Sequence, residues 1–330
     1  RRPPRSTPLY SSAASDVYKR QPLVIDSLVT GKEEFTHGRP FYHADISDID
    51  ALKTIFEDHD DIEAVVHCAG RITIPESVIN PFIYYKENLS KSIDLFNFLS
   101  ETRAKRIVFS STAGIYENKN GEMVTEGSTI RPGNPYANTK LAIEMALHDF
   151  CLAYSMRSIS LRYFNPIGAD PKMRSGPYTD NPTHILGKLI NAARNKTAFE
   201  ITGTGWPTRD GTGIRDYVHV WDLAEAHVKA IERFDNVVSQ EQPFLAINLG
   251  TGQGFTVLEF LELFVEVLGE KLIRLIAPSR DGDSAGSFAS LEKARTLLSW
   301  EPRMSLEQGI ADAIKWSRKH LSLIHISEPT

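Results

Sequence analysis

Tyr136 and Lys140 lie four residues apart in a segment that the sequence predicts to be helical, so both side chains are expected on one face. A phenol has a pKa of about 10, and a neighbouring ammonium group favours its ionised form. Such a pair can supply a phenolate base at neutral pH, which suits removal of a proton from an alcohol. Taken alone, the pair also fits an ordinary amphipathic surface helix.

The run Phe109-Ser110-Ser111-Thr112 precedes this helix and is typical of a strand with a hydroxyl-rich end. Because that end is expected to face the same cleft, Thr112 can hydrogen-bond the reacting oxygen. The sequence therefore predicts a catalytic set of Thr112, Tyr136 and Lys140.

A second polar string is Asp210-Gly211-Thr212-Gly213-Ile214-Arg215-Asp216-Tyr217. The planar guanidinium of Arg215 can pair with two phosphate oxygens at once. An isolated arginine is ordinarily a solvated surface charge, whereas the complete string favours an anion-binding site.

The composition fits a soluble enzyme. The 330 residues are 41% hydrophobic and 24% charged, and the net charge of -5 gives no general attraction to nucleic acid or an anionic membrane. No apolar run reaches the roughly 18 residues that a membrane span needs. Cys68 and Cys151 are interpreted as reduced core residues of a cytoplasmic protein, with neither a disulfide nor a metal site expected.

Strand-like and helix-like segments alternate from Leu23 to Leu161, which predicts parallel strands joined by helices. Leu23-Val24-Ile25 is predicted to form a strand that ends at Asp26, and Asp48 is predicted to cap the next helix. The later predicted elements are strand 63–67, helix 91–102, strand 106–110, helix 136–154 and strand 158–161. This pattern predicts an α/β fold with a doubly wound parallel sheet of Rossmann type.

After Asn165 the pattern loosens into loops marked by Pro and Gly, which predicts a smaller α/β substrate lobe. We expect residues 22–168 to form the Rossmann domain, with about 217–250 returning to it. Residues 169–320 are expected to form the discontinuous second lobe. Residues 1–21 and 321–330 differ in composition from the rest and are interpreted as non-native or disordered tails.

Three segments resemble nucleotide-sugar epimerases of the extended short-chain dehydrogenase family: Tyr136-x-x-x-Lys140, Arg162-Tyr163-Phe164-Asn165-Pro166, and the string from Asp210 to Tyr217. The resemblance runs from about Leu23 to about His320. It implies interconversion of UDP-galactose and UDP-glucose through a 4-keto intermediate, by transient hydride transfer to NAD, in galactose metabolism. It also implies a homodimer formed by the helices that begin near Lys91 and Tyr136.

The resemblance implies NAD contacts, although each residue taken singly also fits a structural role. Lys140 would bind the nicotinamide ribose beside Tyr136. Asp26 would bind the adenosine ribose, which favours NAD over NADP. Further implied contacts are Asp45, Ile46, Cys68, Ala69, Gly70, Asn88 and Phe164. The chain departs from the family where Ile72, beside Arg71, replaces a lysine, and where Thr112 replaces a frequent serine.

On the substrate side, Thr112 would contact the sugar of a UDP-hexose, and the other implied contacts are Asn165, His184, Arg215, Tyr217, Arg280, Asp283 and Ser287. His184 replaces an asparagine. Ser287 occupies a position that carries a bulky tyrosine in some members, and small residues surround it. UDP-N-acetylglucosamine and UDP-N-acetylgalactosamine are therefore candidate substrates, and a flexible loop without effect on specificity is the alternative.

The sequence has no glycine before Gly31, whereas the family places a strand and a Gly-x-x-Gly-x-x-Gly turn ahead of the position of Leu23. Backbone amides at such a turn bind the cofactor pyrophosphate. We therefore expect the chain as written to bind NAD poorly and to be less stable, because the edge of a neighbouring strand is exposed. A complete form is expected to be active.

Two other functions remain open from the sequence. A nucleotide-sugar dehydratase of the same fold would place an acidic pair directly after the strand-end threonine, where this chain has Ala113-Gly114. A non-catalytic nucleotide-sugar binding protein is compatible with the unmatched glycine turn. Formation of UDP-glucose from UDP-galactose would distinguish an epimerase from both.

Overall fold

The fold is taken from a computed structural model, which describes residues 21–36, 38–117, 120–179, 181–279 and 284–327, with side chains as far as Lys319. The predicted tail 1–21, apart from Gln21, lies outside these ranges. So do the predicted substrate residues Arg280 and Asp283.

Within these ranges the strands are β1 (Val24–Asp26), β2 (Phe41–His43), β3 (Val65–His67), β4 (Arg106–Thr112), β5 (Glu122–Val124), β6 (Arg157–Tyr163), β7 (Asn165–Ile167), β8 (Phe199–Thr202), β9 (Ile214–Arg215), β10 (Tyr217–His219), β11 (Phe244–Leu249), β12 (Phe255–Thr256), β13 (Arg274–Ala277) and β14 (Gly286–Ala289). The helices are α1 (Ile49–Asp58), α2 (Ile74–Ile79), α3 (Pro81–Tyr84), α4 (Lys91–Ser100), α5 (Pro135–Tyr154), α6 (Ile185–Asn195), α7 (Val220–Glu232), α8 (Phe234–Val237), α9 (Val257–Leu268), α10 (Glu292–Leu298) and α11 (Leu306–Ser327). A π-helical segment spans Tyr85–Ser90, and 3-10 turns span Glu33–Thr36 and Ala113–Ile115.

The main sheet is parallel and has the strand order β11-β6-β4-β3, while β1 and β2 form a separate parallel pair. The inner strand β4 is buried on both faces. Successive side chains of a strand point to opposite sides of the sheet, so alternate residues of β4 enter two different core clusters. Ile107 and Phe109 pack in one core cluster with Ile143 of α5. Val108 packs in another cluster, with Leu223 of α7. The predicted α/β class is confirmed by this arrangement of helices on both faces.

The remaining sheets are built on shorter strands. β7 pairs in parallel with β10, with Asn165 opposite Tyr217, and the chain then returns to the main sheet through β11, which pairs with β6. A four-stranded sheet has the order β12-β9-β14-β5, and β13 pairs with β8. Leu189 of α6, Phe260 of α9 and Ile310 of α11 belong to a third core cluster.

Most predicted elements are confirmed with small shifts of their ends. Asp48 caps α1 by accepting a hydrogen bond from the Ala51 amide at 3.1 Å. The last helix is longer than the sequence predicts, since α11 continues past His320 to Ser327. Residues 321–327 contain no Gly or Pro, so nothing in their backbone chemistry ends the helix there.

No helix in the described ranges is both long and apolar enough to cross a membrane. In the same ranges, no group of three or more His, Cys, Asp or Glu side chains could hold a metal ion. Cys68 and Cys151 are free thiols.

Two buried histidines connect the main sheet to its helices. His67 Nε2 lies 2.8 Å from Ser92 Oγ, and His227 Nε2 lies 2.9 Å from Ser110 Oγ. His227 Nδ1 is 2.7 Å from the carbonyl oxygen of Leu223, so Nδ1 donates and Nε2 accepts. Burial lowers the pKa of His67 to about 3 and that of His227 to about 4.

The protein is expected to lose stability as the pH falls below about 6.5, because the unfolded state protonates His227 before the folded state does. The pKa of His227 in the folded state is about 4. Its contribution to the free energy of unfolding is therefore complete above pH 6.5 and falls by about 2 kcal/mol between pH 6.5 and 4.5. His227→Gln should reduce the pH dependence of the free energy of unfolding in urea by this amount. His148→Gln, at an exposed helix position, is the control. An unchanged pH dependence in the His227 variant would contradict the expectation.

Candidate active site

Thr112, Tyr136 and Lys140 meet at the carboxyl end of β4. Asn134 caps α5 by accepting a hydrogen bond from the Ala137 amide at 2.9 Å, which places Tyr136 in the first helical turn. Thr112 is the last residue of β4, and its hydroxyl lies close enough to the Tyr136 phenol to lower the pKa of that group. Thr112 is 9% exposed and Tyr136 is 8% exposed, so this contact is almost completely shielded from water.

Lys140 lies one turn further along α5 and is 1% exposed. Its ammonium group donates a hydrogen bond to the Ser110 carbonyl at 2.9 Å and lies 4.8 Å from the centroid of the Phe109 ring. Burial lowers the pKa of Lys140 to about 8, and the charges of Cys68 and Glu144 oppose that effect. The ammonium group is therefore held by β4.

The electrostatics of Tyr136 differ from the sequence-based expectation. Burial raises the pKa of Tyr136 to about 12, and the hydrogen bond from Thr112 opposes that effect. The sequence predicts that the neighbouring Lys140 ammonium lowers this pKa. The ammonium group binds the Ser110 carbonyl, and desolvation of the phenolate dominates among the protein's own groups.

Asp26 ends β1, as predicted. Its carboxylate accepts a hydrogen bond from the Leu28 amide at 2.7 Å, and burial raises its pKa. A Cβ in place of Gly31 would lie 2.6 Å from Asp26 Oδ1, so a side chain there would displace this carboxylate. The carboxylate is thus fixed at the end of the strand.

Asp45 follows β2 and is engaged by other residues of the chain. It accepts hydrogen bonds from the Lys91 ammonium at 2.6 Å and from the Ser47 amide at 3.0 Å. The neighbouring Ile46 packs against the core cluster that contains Leu52. Contacts with α1 and α4 therefore set the positions of Asp45 and Ile46.

The turn Cys68-Ala69-Gly70 follows β3 and is held in place by Asn88. Asn88 Oδ1 accepts a hydrogen bond from the Arg71 amide at 2.7 Å, and Nδ2 donates to the Arg71 carbonyl at 3.0 Å and to Thr139 Oγ1 at 3.2 Å. Gly70 has φ of 148°, and a Cβ there would lie 3.1 Å from Asn88 Oδ1. The Asn88 amide is therefore used within the chain to shape this turn.

Cys68 also contacts β4, because its Sγ lies 3.1 Å from Ser110 Oγ. Phe164 and Asn165 follow the carboxyl end of β6, which lies beside β4. Phe164 is buried in the core cluster that contains Val108. Asn165 is partly exposed.

Arg215 and Ser287 lie opposite each other on β9 and β14, so their side chains share one face of that sheet. The Arg215 guanidinium donates hydrogen bonds to the Ile214 carbonyl at 2.7 Å and to the Ser284 carbonyl at 3.3 Å. A side chain at Gly286, whose φ is 87°, would overlap both the Ile214 carbonyl and this guanidinium. The glycine therefore allows the two strands to approach around Arg215.

Two other predicted substrate residues have packing or capping positions. Tyr217 is buried, and its ring centroid lies 4.3 Å from that of Phe260. His184 is exposed and caps α6, where its Nδ1 accepts a hydrogen bond from the Gly187 amide at 3.3 Å. Neither side chain lies at the contact between Thr112 and Tyr136.

Two aspartates that the sequence analysis did not select hold the string 210–217 in place. Asp216 accepts hydrogen bonds from the amides of Thr251 at 2.7 Å, Gly252 at 3.0 Å and Ala289 at 3.0 Å. Asp210 accepts one from the Thr212 amide at 2.8 Å. They fix the backbone on either side of Arg215. The feature of the sequence that could have identified these residues is the presence of two aspartates within one glycine-containing string.

These features define the chain as an α/β protein of Rossmann type with a hydroxyl, a phenol and an ammonium group at one strand end. The profile of the NAD dependent epimerase/dehydratase family matches residues 12–250. The chain therefore belongs to this family.

Curated and solved relatives agree with this assignment. The UDP-glucose 4-epimerase of Halalkalibacterium halodurans is 39% identical over 302 residues, which cover 91% of this chain and 89% of that protein. The UDP-glucose-4-epimerase of Stenotrophomonas maltophila, solved with bound NAD and formylated UDP-arabinopyranose, has a TM-score of 0.89 at 32% identity and covers 95% of both chains. The UDP-Glc/GlcNAc 4-epimerase of Campylobacter jejuni has a TM-score of 0.78 at 30% identity, covering 94% of this chain and 96% of that one.

The described residues fit the two ends of an NAD molecule. Asp26 presents a fixed carboxylate suited to ribose hydroxyl groups, and Lys140 and Tyr136 lie together at the end of β4. The missing side chain of Gly70 makes room for the Asn88 amide, which holds this turn at the end of β3.

Proposed function

We propose that this protein interconverts UDP-galactose and UDP-glucose through a 4-keto intermediate, with NAD as the hydride carrier. The observation that carries the proposal is the buried contact between the Thr112 hydroxyl and the Tyr136 phenol, with Lys140 one helical turn away. Membership of the NAD dependent epimerase/dehydratase family supports it, as does 39% identity to a UDP-glucose 4-epimerase.

In this proposal Tyr136 moves a proton at the sugar 4-hydroxyl. Its ionised phenol takes the proton when the hydroxyl becomes a ketone and returns it when the ketone is reduced. The Thr112 hydroxyl hydrogen-bonds the same oxygen and keeps it beside the phenol. Bound NAD supplies the acceptor and donor of the C4 hydride, and its positive charge favours the ionised phenol. Because the site is buried, a nearby charge acts more strongly there than it does in water.

Most of the residues proposed to hold NAD lie at or after the ends of β1, β2, β3 and β6, whereas Tyr136 and Lys140 lie on α5 and Asn88 lies in the π-helical segment. Asp26 binds the adenosine ribose, and Lys140 with Tyr136 binds the nicotinamide ribose. The remaining proposed contacts are Asp45, Ile46, Cys68, Ala69, Gly70, Asn88 and Phe164. Asn88 contributes by shaping the turn at Gly70, since its amide is already bonded to Arg71 and Thr139.

Arg215 and Asn165 are proposed to anchor the UDP group through its phosphates, and Arg280 and Asp283 belong to the proposed set that holds its pyrophosphate and uridine ribose. The guanidinium of Arg215 suits this task because it can pair with two phosphate oxygens. Tyr217 and His184 support this lobe from the positions described above. A fixed UDP group leaves the 4-keto sugar free to present its opposite face to the hydride.

The two competing functions predict different products. A dehydratase needs acidic groups to expel water, and the residues after Thr112 form a 3-10 turn of Ala113, Gly114 and Ile115. A binding protein would bind UDP-galactose without converting it. Product analysis therefore separates all three.

The test uses the 330-residue chain and a glycine-turn form, in which a strand and a Gly-x-x-Gly-x-x-Gly turn from a curated relative are joined ahead of Leu23. With NAD present, the glycine-turn form should convert UDP-galactose to UDP-glucose. Tyr136→Phe in that form should lower kcat by about 10²- to 10⁴-fold, because it removes the acid–base group. Binding of UDP-galactose, measured by calorimetry, should be retained.

Tyr154→Phe, at the exposed end of α5, is the matched control and should keep full activity. A glycine-turn form that produces no UDP-glucose would overturn the proposed function. Near-normal turnover by Tyr136→Phe would remove Tyr136 as the base.

We also propose that the enzyme accepts the N-acetylated pair, UDP-N-acetylgalactosamine and UDP-N-acetylglucosamine. Ser287 is small, partly exposed and opposite Arg215, which is the proposed phosphate anchor. A short side chain on that face leaves volume beside the bound nucleotide sugar. The similarity to a UDP-Glc/GlcNAc 4-epimerase supports the idea.

Ser287→Tyr should therefore abolish turnover of the N-acetylated pair and retain turnover of UDP-galactose, because the larger ring fills that volume. Ser287→Ala, which keeps the site open, should turn over both pairs. Kinetic constants for both sugar pairs check this in the glycine-turn form. An equal loss of both activities in Ser287→Tyr would refute a gating role.

We further propose that the enzyme is a cytoplasmic homodimer. Ile93 on α4 and Met145 and Leu152 on α5 are exposed apolar side chains, and the last two are each 62% exposed. Met145 and Leu152 are seven residues apart, so they lie on one face of α5. Such a face is suited to a second copy of the chain, in a bundle of α4 and α5 from both subunits. The two free thiols fit a reducing compartment.

The double variant Met145→Glu/Leu152→Glu should convert a dimer into a monomer, because four charges would meet in the apolar bundle. Sedimentation velocity measures the change. Met123→Glu, at an exposed apolar position on β5, is the control and should remain dimeric. A wild type that sediments as a monomer, or a double variant that stays dimeric, would overturn the assignment.

A further inference from the structure

A buried ion pair joins the helix of the active site to the main sheet. Arg162 of β6 donates from Nε to Glu144 Oε1 at 3.0 Å and from Nη2 to Glu144 Oε2 at 2.6 Å. The side chains are 5% and 3% exposed. Glu144 lies on α5, one turn beyond Lys140 and two turns beyond Tyr136. The pair therefore lies directly beneath the residues of the proposed active site.

Further hydrogen bonds extend this pair across the sheet. Ser111 of β4 donates its hydroxyl hydrogen to Glu144 Oε1 at 2.5 Å, and Arg162 Nη1 donates to the Tyr116 hydroxyl at 3.0 Å. The Tyr116 hydroxyl in turn donates to Asn248 Oδ1 of β11 at 2.7 Å. Every residue of this chain of contacts is buried. It therefore connects α5 with β4, β6, β11 and the segment after Thr112.

The geometry of the pair points to orientation more than to stability. Removing two charges from water is costly, and an apolar pair of similar volume often stabilises a fold equally well. A forked pair with two parallel hydrogen bonds does something that an apolar contact does not, because it fixes the relative orientation of both side chains. Here it fixes the rotation of α5 about its axis, on which the directions of Tyr136 and Lys140 depend.

The charge of Glu144 also reaches the site. Burial lowers the pKa of Lys140, and Cys68 and then Glu144 act against this effect by raising it. Three titratable groups face Lys140 from the packed elements. They are His67 at the end of β3, Cys68 directly after it, and Glu144 on α5. Glu144 thus favours the protonated form of Lys140.

We propose that Glu144 and Arg162 are positioning residues of the epimerase, which hold α5 so that Tyr136 stays on Thr112 and the Lys140 ammonium stays on the Ser110 carbonyl. This inference rests on the proposed function, because it concerns the same reaction. Neither residue touches substrate. Their effect reaches the sugar only through the two side chains on α5.

The test compares three variants of the glycine-turn form. Glu144→Asp and Arg162→Lys keep the opposite charges but break the forked geometry, and each should lower kcat by about 10²-fold, since small misplacements of reacting groups have effects of this size. The KM for UDP-galactose should stay close to the wild-type value, because Arg215 and Asn165 lie on other strands. Arg157→Lys is the matched control on β6, where Arg157 pairs with Asp235 at 2.8 Å, and it should keep the wild-type kcat.

Glu144→Gln gives a second and independent readout. Without the carboxylate, Lys140 loses its proton at a lower pH, so the alkaline limb of the plot of kcat against pH should move to lower pH. Arg162→Lys keeps the carboxylate, so its alkaline limb should remain in place while kcat falls. A purely structural role would change stability without moving this limb. If Glu144→Gln does not fold, as judged by circular dichroism, the two charge-retaining variants decide the question.

Wild-type kcat in folded Glu144→Asp and Arg162→Lys would overturn the positioning role while leaving the epimerase activity intact. If both variants raised the KM for UDP-galactose and left kcat unchanged, the positioning role would also be overturned. If the glycine-turn form without any substitution were inactive, the proposed function would be overturned, and the inference with it.

Discussion

The hydrogen bond from the buried Lys140 ammonium to the Ser110 carbonyl determines how the active-site helix lies on the sheet. A buried cation without a polar partner is strongly unfavourable, so α5 must place Lys140 over the end of β4. Tyr136 precedes Lys140 by one helical turn, and the same placement brings its phenol to Thr112. This contact and the Glu144–Arg162 pair therefore act together to hold three residues that come from two elements.

Burial has two opposite effects on this site. It raises the pKa of Tyr136 to about 12 and lowers that of Lys140 to about 8, which disfavours the ionised form of each group. The same exclusion of water strengthens every charge interaction within the site. Reactivity in the proposed mechanism therefore depends on the positive charge of bound NAD, and the free protein holds the phenol in its protonated form.

Fixed polar side chains inside the fold shape the surroundings of the site. Asp216 and Asn88 each use their oxygen atoms to bind backbone amides, at the string that contains Arg215 and at the turn of Gly70. Buried polar groups need such partners, and the partners in turn fix the loops.

The sequence by itself determined the alternation of strands and helices, the cap at Asp48 and the set of Thr112, Tyr136 and Lys140, because periodicity and spacing are local properties of the chain. Only the tertiary structure decided the neighbours of these residues. Arg162 and Glu144 are 18 residues apart in the chain, yet they form one buried pair. The direction of the Tyr136 pKa also came from the tertiary structure, since desolvation depends on the atoms that surround a group in space and not on its neighbours in sequence.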